Sequence, residues 1–302
     1  MRPATSTRIS SKNWALPSQK PKTVPDLLSI LRKSADYLGG KGIDSPRVEA
    51  ELLVAHALDL DRIALYLQFD KPLTDESLGP IREVLKRRVR GEPVQYITGK
   101  AGFYEIELAV GSGVLIPRPE TERLVDRALA LYEGGPVLDL CTGSGAVILS
   151  LWHARQEDGP FVAVDLSPEA LVWAEKNRAS LEADVELLEG DLFAPVAGRT
   201  FTLITTNPPY VTADEYSRLP THIREWEPAL ALESGPDGMN LLTRIAAEGK
   251  AYLEPDGWLL SEIGSGQGSI AKSAFEAQGW RDVSVEQDYT GRDRVLLAKH
   301  GA

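Results

Sequence analysis

The sequence predicts an α/β fold, in which a mostly parallel sheet is covered by helices on both faces and follows a small helical unit. From Pro119 onward, short apolar runs that are typical of strands alternate with helical segments, and this alternation indicates a parallel sheet. The last two predicted strands, RDVSVEQDY and RVLLAKH, are separated only by TGRD. Such a short connection predicts an antiparallel hairpin that closes one edge of the sheet.

Residues 1–22 form a basic tail, which has five basic residues and no acidic one. The tail lacks the apolar core of a secretory signal, and its serine-rich composition is typical of an organelle transit peptide or of a disordered segment. Pro3, Pro17 and Pro21 would interrupt an amphipathic helix, so we expect disorder rather than targeting.

Residues 23–92 predict a small bundle of about four helices. Leucines follow helical spacing in PDLLSILRKSADYL, and Ser45 with Pro46 is typical of an N-cap and a first helical residue. A further helix begins at Thr74 with acids in its first turn and ends in a basic turn before Gly91. The sequence therefore predicts both where that helix begins and where it ends.

Residues 93–117 are rich in β-branched and aromatic residues and contain four glycines. They predict a β-hairpin, or a pair of short strands, that links the helical unit to the domain of residues 118–302. Five predicted strands precede the final hairpin in that domain: 136–141, 161–166, 185–190, 201–206 and 258–263.

The composition excludes several classes of protein. A net charge of −11 argues against a broad basic face, so we expect no direct binding of nucleic acid. No apolar run approaches the roughly 18 to 20 residues of a membrane span. Cys141 is the one cysteine, which excludes an internal disulfide and fits a reducing compartment such as the cytoplasm. The four histidines show no metal-ligand spacing, so we expect no metal.

A glycine-rich turn, DLCTGSGA, follows the first strand of the domain and leads into a helix. Such a turn lets a ligand approach the backbone at the carboxyl edge of the sheet. Asp165 ends the second strand, where a carboxylate can bind ribose hydroxyls. Asp191 and Phe193 follow the third strand, where an adenine would lie.

Both NAD and S-adenosylmethionine bind to this layout, and the sequence of the glycine turn gives a partial distinction between the two cofactors. The dinucleotide fingerprint G-x-G-x-x-G is incomplete, because Ile148 stands where the third glycine belongs. S-adenosylmethionine has no pyrophosphate, and its positive sulfonium tolerates nearby carboxylates such as Asp139. The turn therefore favours S-adenosylmethionine.

The tetrad Asn207, Pro208, Pro209 and Tyr210 follows the fourth strand and resembles that of methyltransferases acting on planar nitrogens, either adenine amines or glutamine amides. Two acceptors, the Asn207 side-chain oxygen and the Pro208 carbonyl, can hold the two N–H groups of an amide and aim its lone pair at a methyl group. The prolines fix the backbone, and Tyr210 can cover the flat amide.

With these motifs together, the chain resembles the protein glutamine methyltransferases that modify peptide chain release factors, the PrmC/HemK family. The similarity runs from about residue 25 to the C-terminus. It includes GIDSPRVEAELLVAHAL, PVQYITGKAGFYEIEL, LIPRPETERLV, TGSGA, NPPY, EPALAL with a following DG, and GRDRVLLAK.

The resemblance implies a class I S-adenosylmethionine-dependent methyltransferase, with a Rossmann-like sheet of seven mostly parallel strands and a C-terminal antiparallel hairpin behind a helical, substrate-recognition domain. It implies methyl transfer to the N5 nitrogen of the glutamine in the Gly-Gly-Gln motif of release factors, by a cytoplasmic enzyme that we expect to be a monomer.

The resemblance also implies the site residues. The cofactor is expected on Cys141, Thr142, Gly143, Ser144, Gly145, Asp165, Asp191, Leu192, Phe193 and Asn207. The substrate glutamine is expected on Asn207, Pro208, Pro209 and Tyr210, of which Asn207, Pro208 and Tyr210 are the predicted catalytic residues. Residues 117–121 are expected to line the cleft near the methionine moiety. Cys141 and Leu192 depart from the family pattern, which often has a glycine and an aromatic residue at these positions.

Two other substrates stay open at this point. Cys141 resembles a sister group that methylates a glutamine in a large-subunit ribosomal protein. An adenine-N6 nucleic-acid methyltransferase would use the same tetrad but would need a basic target-reading domain. A non-catalytic binding module is a third hypothesis, which predicts damage to the glycine turn or to Asn207, and both are intact.

Overall fold

The computed structural model describes residues 24–156 and 158–301, so the predicted tail of residues 1–22 lies outside the described residues. The described residues begin with four helices, in accord with the predicted helical spacing. They are α1 (Leu27–Gly39), α2 (Pro46–Ala57), α3 (Arg62–Leu67) and α4 (Asp75–Val89).

Side-chain caps and a shared apolar core define this helical unit. Asp26 accepts a hydrogen bond from the Ser29 backbone N–H at the start of α1, and Thr74 caps α4. The apolar faces of the helices meet in one core that contains the fully buried Leu53. Arg88 of α4 pairs with Glu49 of α2, and this largely buried ion pair joins the two helices.

The linker differs from its prediction in one part. Residues PVQYIT form a helix, α5 (Val94–Thr98), and not a strand. The predicted hairpin follows this helix and consists of β1 (Lys100–Phe103) and β2 (Ile106–Ala109). Pro93 sets the helix entry and Gly99, with φ of 74°, ends it. Three of the five α5 side chains are buried, and this burial overrides the local β propensity.

The predicted seven-stranded, mostly parallel sheet is confirmed. Its spatial order is β5-β4-β3-β6-β7-β9-β8; β3 to β7 are parallel, and β9 runs antiparallel to both of its neighbours. The strands are β3 (Val137–Leu140), β4 (Phe161–Asp165), β5 (Val185–Glu189), β6 (Phe201–Thr206), β7 (Leu253–Glu262), β8 (Arg281–Gln287) and β9 (Asp293–Lys299).

Helices cover both faces of this sheet, as the alternation predicts. The helices are α6 (Glu122–Leu131), α7 (Ala146–Ala154), α8 (Pro168–Ser180), α9 (Ala213–Arg218), α10 (Thr221–Arg224), α11 (Asn240–Glu248) and α12 (Gly268–Ala277). One apolar core includes side chains of α6 and α7, and a second includes side chains of α11 and α12. Within the described residues, no helix has the length and apolarity needed to cross a membrane.

The sheet order creates a topological switch point between β3 and β6. From β3 the chain continues outward to β4 and β5, whereas from β6 it continues in the opposite direction to β7. The loops that follow β3 and β6 therefore diverge and leave a crevice at the carboxyl ends of these strands, which is where open α/β sheets bind ligands.

The core of the helical unit gives a stability prediction. We expect Leu53→Ala to lower the free energy of unfolding by about 2–5 kcal/mol, because Leu53 is fully buried. Its neighbour Leu52 is 36 % exposed, so Leu52→Ala should cost less than about 1 kcal/mol. Urea unfolding followed by circular dichroism checks both values, and equal losses would contradict the packing.

Candidate active site

A cavity of about 290 Å³ opens at the switch point. Nine of the predicted site residues line it: Cys141, Thr142, Gly143, Ser144, Asp165, Asp191, Leu192, Asn207 and Pro209. A second cavity of about 40 Å³ shares Leu115, Arg118, Asn207 and Ala231 with the first and is also lined by Tyr210 and Glu262. Asn207 therefore lies at the junction of a large and a small compartment.

Of the residues predicted to bind cofactor or substrate, apart from residues 117–121, three lie outside the linings of both cavities. Phe193 is buried and its ring stacks on Tyr252, with 4.5 Å between the centroids. Leu192, its neighbour, lines the large cavity instead. Gly145 and Pro208 do not line either cavity, although each is flanked in the chain by residues that do.

The glycine turn requires left-handed backbone. Gly143 and Gly145 have φ of 58° and 81°, and Cys141 has φ of 55°. A Cβ on Gly145 would lie 2.9 Å from Leu149 Cδ1, so only glycine fits there without a shift of the neighbour. The positive φ at Cys141 accounts for the glycine that the family pattern often has at this position, because glycine adopts a positive φ at lower cost than any other residue.

Asp165 joins the turn after β3 to the loop after β4. One carboxylate oxygen accepts from the Gly143 N–H at 2.7 Å, and the other accepts from the Ser167 N–H at 2.8 Å. Burial raises the pKa of Asp165. Each oxygen retains a further lone pair that can accept from a hydroxyl group of a ligand.

Asp139 is the most deeply buried carboxyl group of the cavity lining, at 1 % exposure. It accepts from the Thr142 hydroxyl and from the Thr205 hydroxyl, both at 2.7 Å. Since Thr142 follows β3 and Thr205 belongs to β6, Asp139 connects the two strands that carry the predicted motifs. Burial raises the pKa of Asp139 from 3.8 to about 7.

Asp191 forms a two-contact ion pair with Arg244, a residue that the sequence did not identify. The guanidinium nitrogens lie 3.1 and 2.9 Å from the two carboxylate oxygens, and both side chains line the large cavity. Arg244 lies on α11, and a lone arginine on an amphipathic helix gives no local signal of a site.

A second pair that sequence reasoning missed joins Arg118 to Glu227. Glu227 is buried and also accepts from the Ile116 N–H at 3.0 Å. The pair connects the segment before α6 to the EPALAL segment. Of the predicted residues 117–121, only Pro117, Arg118 and Thr121 line the large cavity.

Asn207 is oriented by a buried hydroxyl. Its Nδ2 donates to Thr121 Oγ1 at 3.3 Å. This bond uses one donor of the amide and leaves the side-chain oxygen as an acceptor. The Pro208 carbonyl oxygen accepts no hydrogen bond from residues 24–156 or 158–301, and Pro208 itself is buried.

Tyr210 is held at its backbone and at its hydroxyl. Its carbonyl oxygen accepts from Gln267 Nε2 at 3.0 Å, and its hydroxyl donates to Glu262 Oε1 at 3.0 Å. A Cβ on Gly238 would lie 2.2 Å from the same carbonyl oxygen, so the glycine of the DG pair allows this close approach. Burial, followed by the nearby Glu262, raises the pKa of Tyr210.

The sheet order and the position of the cavity define a class I methyltransferase fold. A methyltransferase from Pyrococcus furiosus has the same fold, with a TM-score of 0.50 and 18 % identity over 66 % of this chain and 91 % of that one. The chain also matches the family models of the PrmC N-terminal domain, over residues 29–99, and of the methyltransferase small domain, over residues 103–223.

Two relatives identify the family within this class of methyltransferases. The chain is 38 % identical over 286 residues to the release factor glutamine methyltransferase of Geobacter sulfurreducens, which spans 94 % of this chain and 100 % of that protein. It is 38 % identical over 255 residues to the enzyme of the same name from Thermodesulfovibrio yellowstonii, which spans 82 % and 91 %. The chain belongs to the release factor glutamine methyltransferase family.

The buried Asp139 predicts a pH dependence of stability. Because its pKa is higher in the folded chain than in the unfolded one, its stabilising contribution is complete below about pH 4 and is lost as the pH rises through about 7. Between pH 4 and pH 7 the unfolding free energy of the wild type should fall by up to about 4 kcal/mol relative to that of Asp139→Asn. Urea unfolding of both proteins between pH 4 and 8 checks this, and a constant difference would contradict it.

Proposed function

We propose that this protein transfers a methyl group from S-adenosylmethionine to the N5 nitrogen of the glutamine in the Gly-Gly-Gln motif of peptide chain release factors. Family membership supports the reaction class and the substrate. The single observation that supports the site is the place of Asn207, which borders both the large cavity and the small one. The names of these relatives do not favour the ribosomal-protein or adenine alternatives.

The large cavity fits S-adenosylmethionine better than a dinucleotide. Four carboxylate side chains line it, Asp139, Asp165, Asp191 and Glu233, together with two arginines. Both arginines already pair with carboxylates. The lining is therefore suited to a cationic ligand, whereas a pyrophosphate would meet unfavourable charge.

We assign the parts of the cofactor to residues by their chemistry. Asp165 would accept from ribose hydroxyls, Leu192 and the Asp191–Arg244 pair would border the base, and the turn of residues 141–144 would contact the remainder through its backbone. When bound, S-adenosylmethionine supplies an electrophilic methyl group on a positively charged sulfur. The residues of this chain then have only to hold and orient the nucleophile.

Asn207 and Pro208 are the proposed acceptors for the substrate amide. An amide nitrogen is a weak nucleophile, since its lone pair is delocalised into the carbonyl group. The Asn207 side-chain oxygen and the Pro208 carbonyl oxygen would accept its two N–H bonds and stabilise the positive charge that develops on nitrogen. Thr121 fixes the rotation of the Asn207 amide, so this acceptor is oriented before substrate binds.

Tyr210 borders the small cavity and is proposed to cover the face of the substrate amide. The side-chain oxygen of Asn207 at this cavity can accept from an amide N–H, as the substrate glutamine requires.

We propose that the helical unit of residues 23–92 recognises the release factor. Ile63, Leu67 and Phe69, in and just after α3, are 71, 77 and 52 % exposed. Exposed apolar side chains grouped in this way are typical of a surface that binds another protein.

A labelling assay tests the substrate. The protein is incubated with methyl-labelled S-adenosylmethionine and a release factor, either intact or with its motif glutamine changed to alanine. We expect label on the intact factor alone. Equal label on both factors, or label only on a large-subunit ribosomal protein or on nucleic acid, would contradict the proposal.

Asn207→Ala tests the role of the amide. Because the substitution removes one acceptor of the reacting nitrogen, we expect kcat to fall by about 100-fold or more. Calorimetry should show little change in the affinity for S-adenosylmethionine. Asn240→Ala, an exposed asparagine at the start of α11, is the matched control and should behave as wild type. Near-normal turnover of the Asn207 variant would sink the assignment.

A further inference from the structure

Glu262 is a buried carboxylate that the proposed reaction does not use. It is the last residue of β7, it is 1 % exposed, and it lines the small cavity beside Asn207 and Tyr210. Burying a carboxylate is unfavourable unless its partners compensate for lost hydration. Its presence at this position therefore calls for a function.

The partners of Glu262 converge on the tyrosine of the tetrad. Glu262 Oε1 accepts from the Tyr210 hydroxyl at 3.0 Å, and Arg294 Nη1 lies 3.4 Å from that hydroxyl and 3.7 Å from Oε1. Arg294 belongs to the GRDR segment at the start of β9, to which the sequence assigned no role. Two strands, β7 and β9, thus each supply one charged side chain that contacts the Tyr210 hydroxyl.

The contact uses only part of the capacity of the carboxylate. No group of residues 24–156 or 158–301 donates to Glu262 Oε2, although that atom is buried. A purely structural position would be filled at lower cost by an apolar residue of similar size. The incomplete pairing is therefore tolerated where the carboxylate holds the Tyr210 hydroxyl and faces Arg294.

We propose that Glu262 is a positioning residue for methyl transfer, which holds the Tyr210 ring through its hydroxyl and so keeps the small cavity preformed for the substrate amide. This inference rests on the proposed function. Gln267 already holds the backbone of Tyr210. The hydroxyl contact therefore fixes the remaining freedom of this residue, which is the orientation of its ring. A ring held in advance loses little freedom when substrate binds.

Kinetics of four variants test the proposal: Tyr210→Phe, Glu262→Ala, Glu262→Gln and the double variant Tyr210→Phe/Glu262→Ala. We expect both Tyr210→Phe and Glu262→Ala to lower kcat by about 10- to 100-fold. The KM for S-adenosylmethionine should change by less than about twofold, because these side chains border the small cavity. The double variant should lose no more than Glu262→Ala alone, because that substitution already removes the contact that Tyr210→Phe removes.

Glu262→Gln and one further variant, Glu286→Ala, separate positioning from a general loss of structure. Glu262→Gln retains an oxygen that accepts from the phenol, so it should recover most of the activity that alanine loses. Glu286→Ala is the control, because Glu286 is likewise a glutamate that pairs with arginine, in its case Arg123 and Arg127, but it lines neither cavity. Its kcat should equal that of wild type. Multiplying losses in the double variant, or a Tyr210→Phe enzyme of normal kcat, would overturn the proposal.

A stability cycle gives a readout that does not depend on activity. Urea unfolding of the same variants should show non-additive losses for Tyr210→Phe and Glu262→Ala, because they share one hydrogen bond. If wild type transfers no methyl group to release factors, the proposed function fails, while this coupling still reports on the contact. Additive losses would overturn the contact whatever the substrate is.

Discussion

The hydrogen bonds of Asp139 are the interaction on which the rest of the site depends. Asp139 lies on β3, next to the central strand β6, and both of its carboxylate oxygens accept from threonine hydroxyls. One threonine is in the glycine turn after β3, and the other is on β6, two residues before Asn207. The carboxylate thus sets the distance between the two loops that carry the proposed cofactor and substrate groups.

The same principle recurs around the cavity, where buried side chains join loops that are distant in the chain. Asp165 joins the turn after β3 to the loop after β4. Glu227 joins the linker to the EPALAL segment. Each carboxylate loses hydration on burial. Its hydrogen bonds compensate for that loss only in one arrangement of their donors. The preformed cavity is therefore a consequence of polar groups that have few alternative partners.

The parts of the site that could be predicted from sequence are those with local causes. Glycine at position 145 is required by a positive φ and by the nearby Leu149, and consecutive prolines after β6 end that strand wherever they occur. Arg244 and Glu262 could not be found in this way, because they contact Asp191 and Tyr210 from 53 and 52 residues away. Arginine and glutamate are also common surface residues, so their types carried no signal.

The sequence by itself determined the α/β class, the strand-to-loop motifs and the family, because apolar periodicity, glycine and proline act over a few neighbouring residues. Tertiary structure alone decided three other features. Residues 94–98 became a helix because burial outweighed their β propensity. Phe193 packed on Tyr252 while Leu192 took the cavity wall. The Tyr210 ring met Glu262 and Arg294 because the order of strands brings β6, β7 and β9 together, and no local pattern encodes that order.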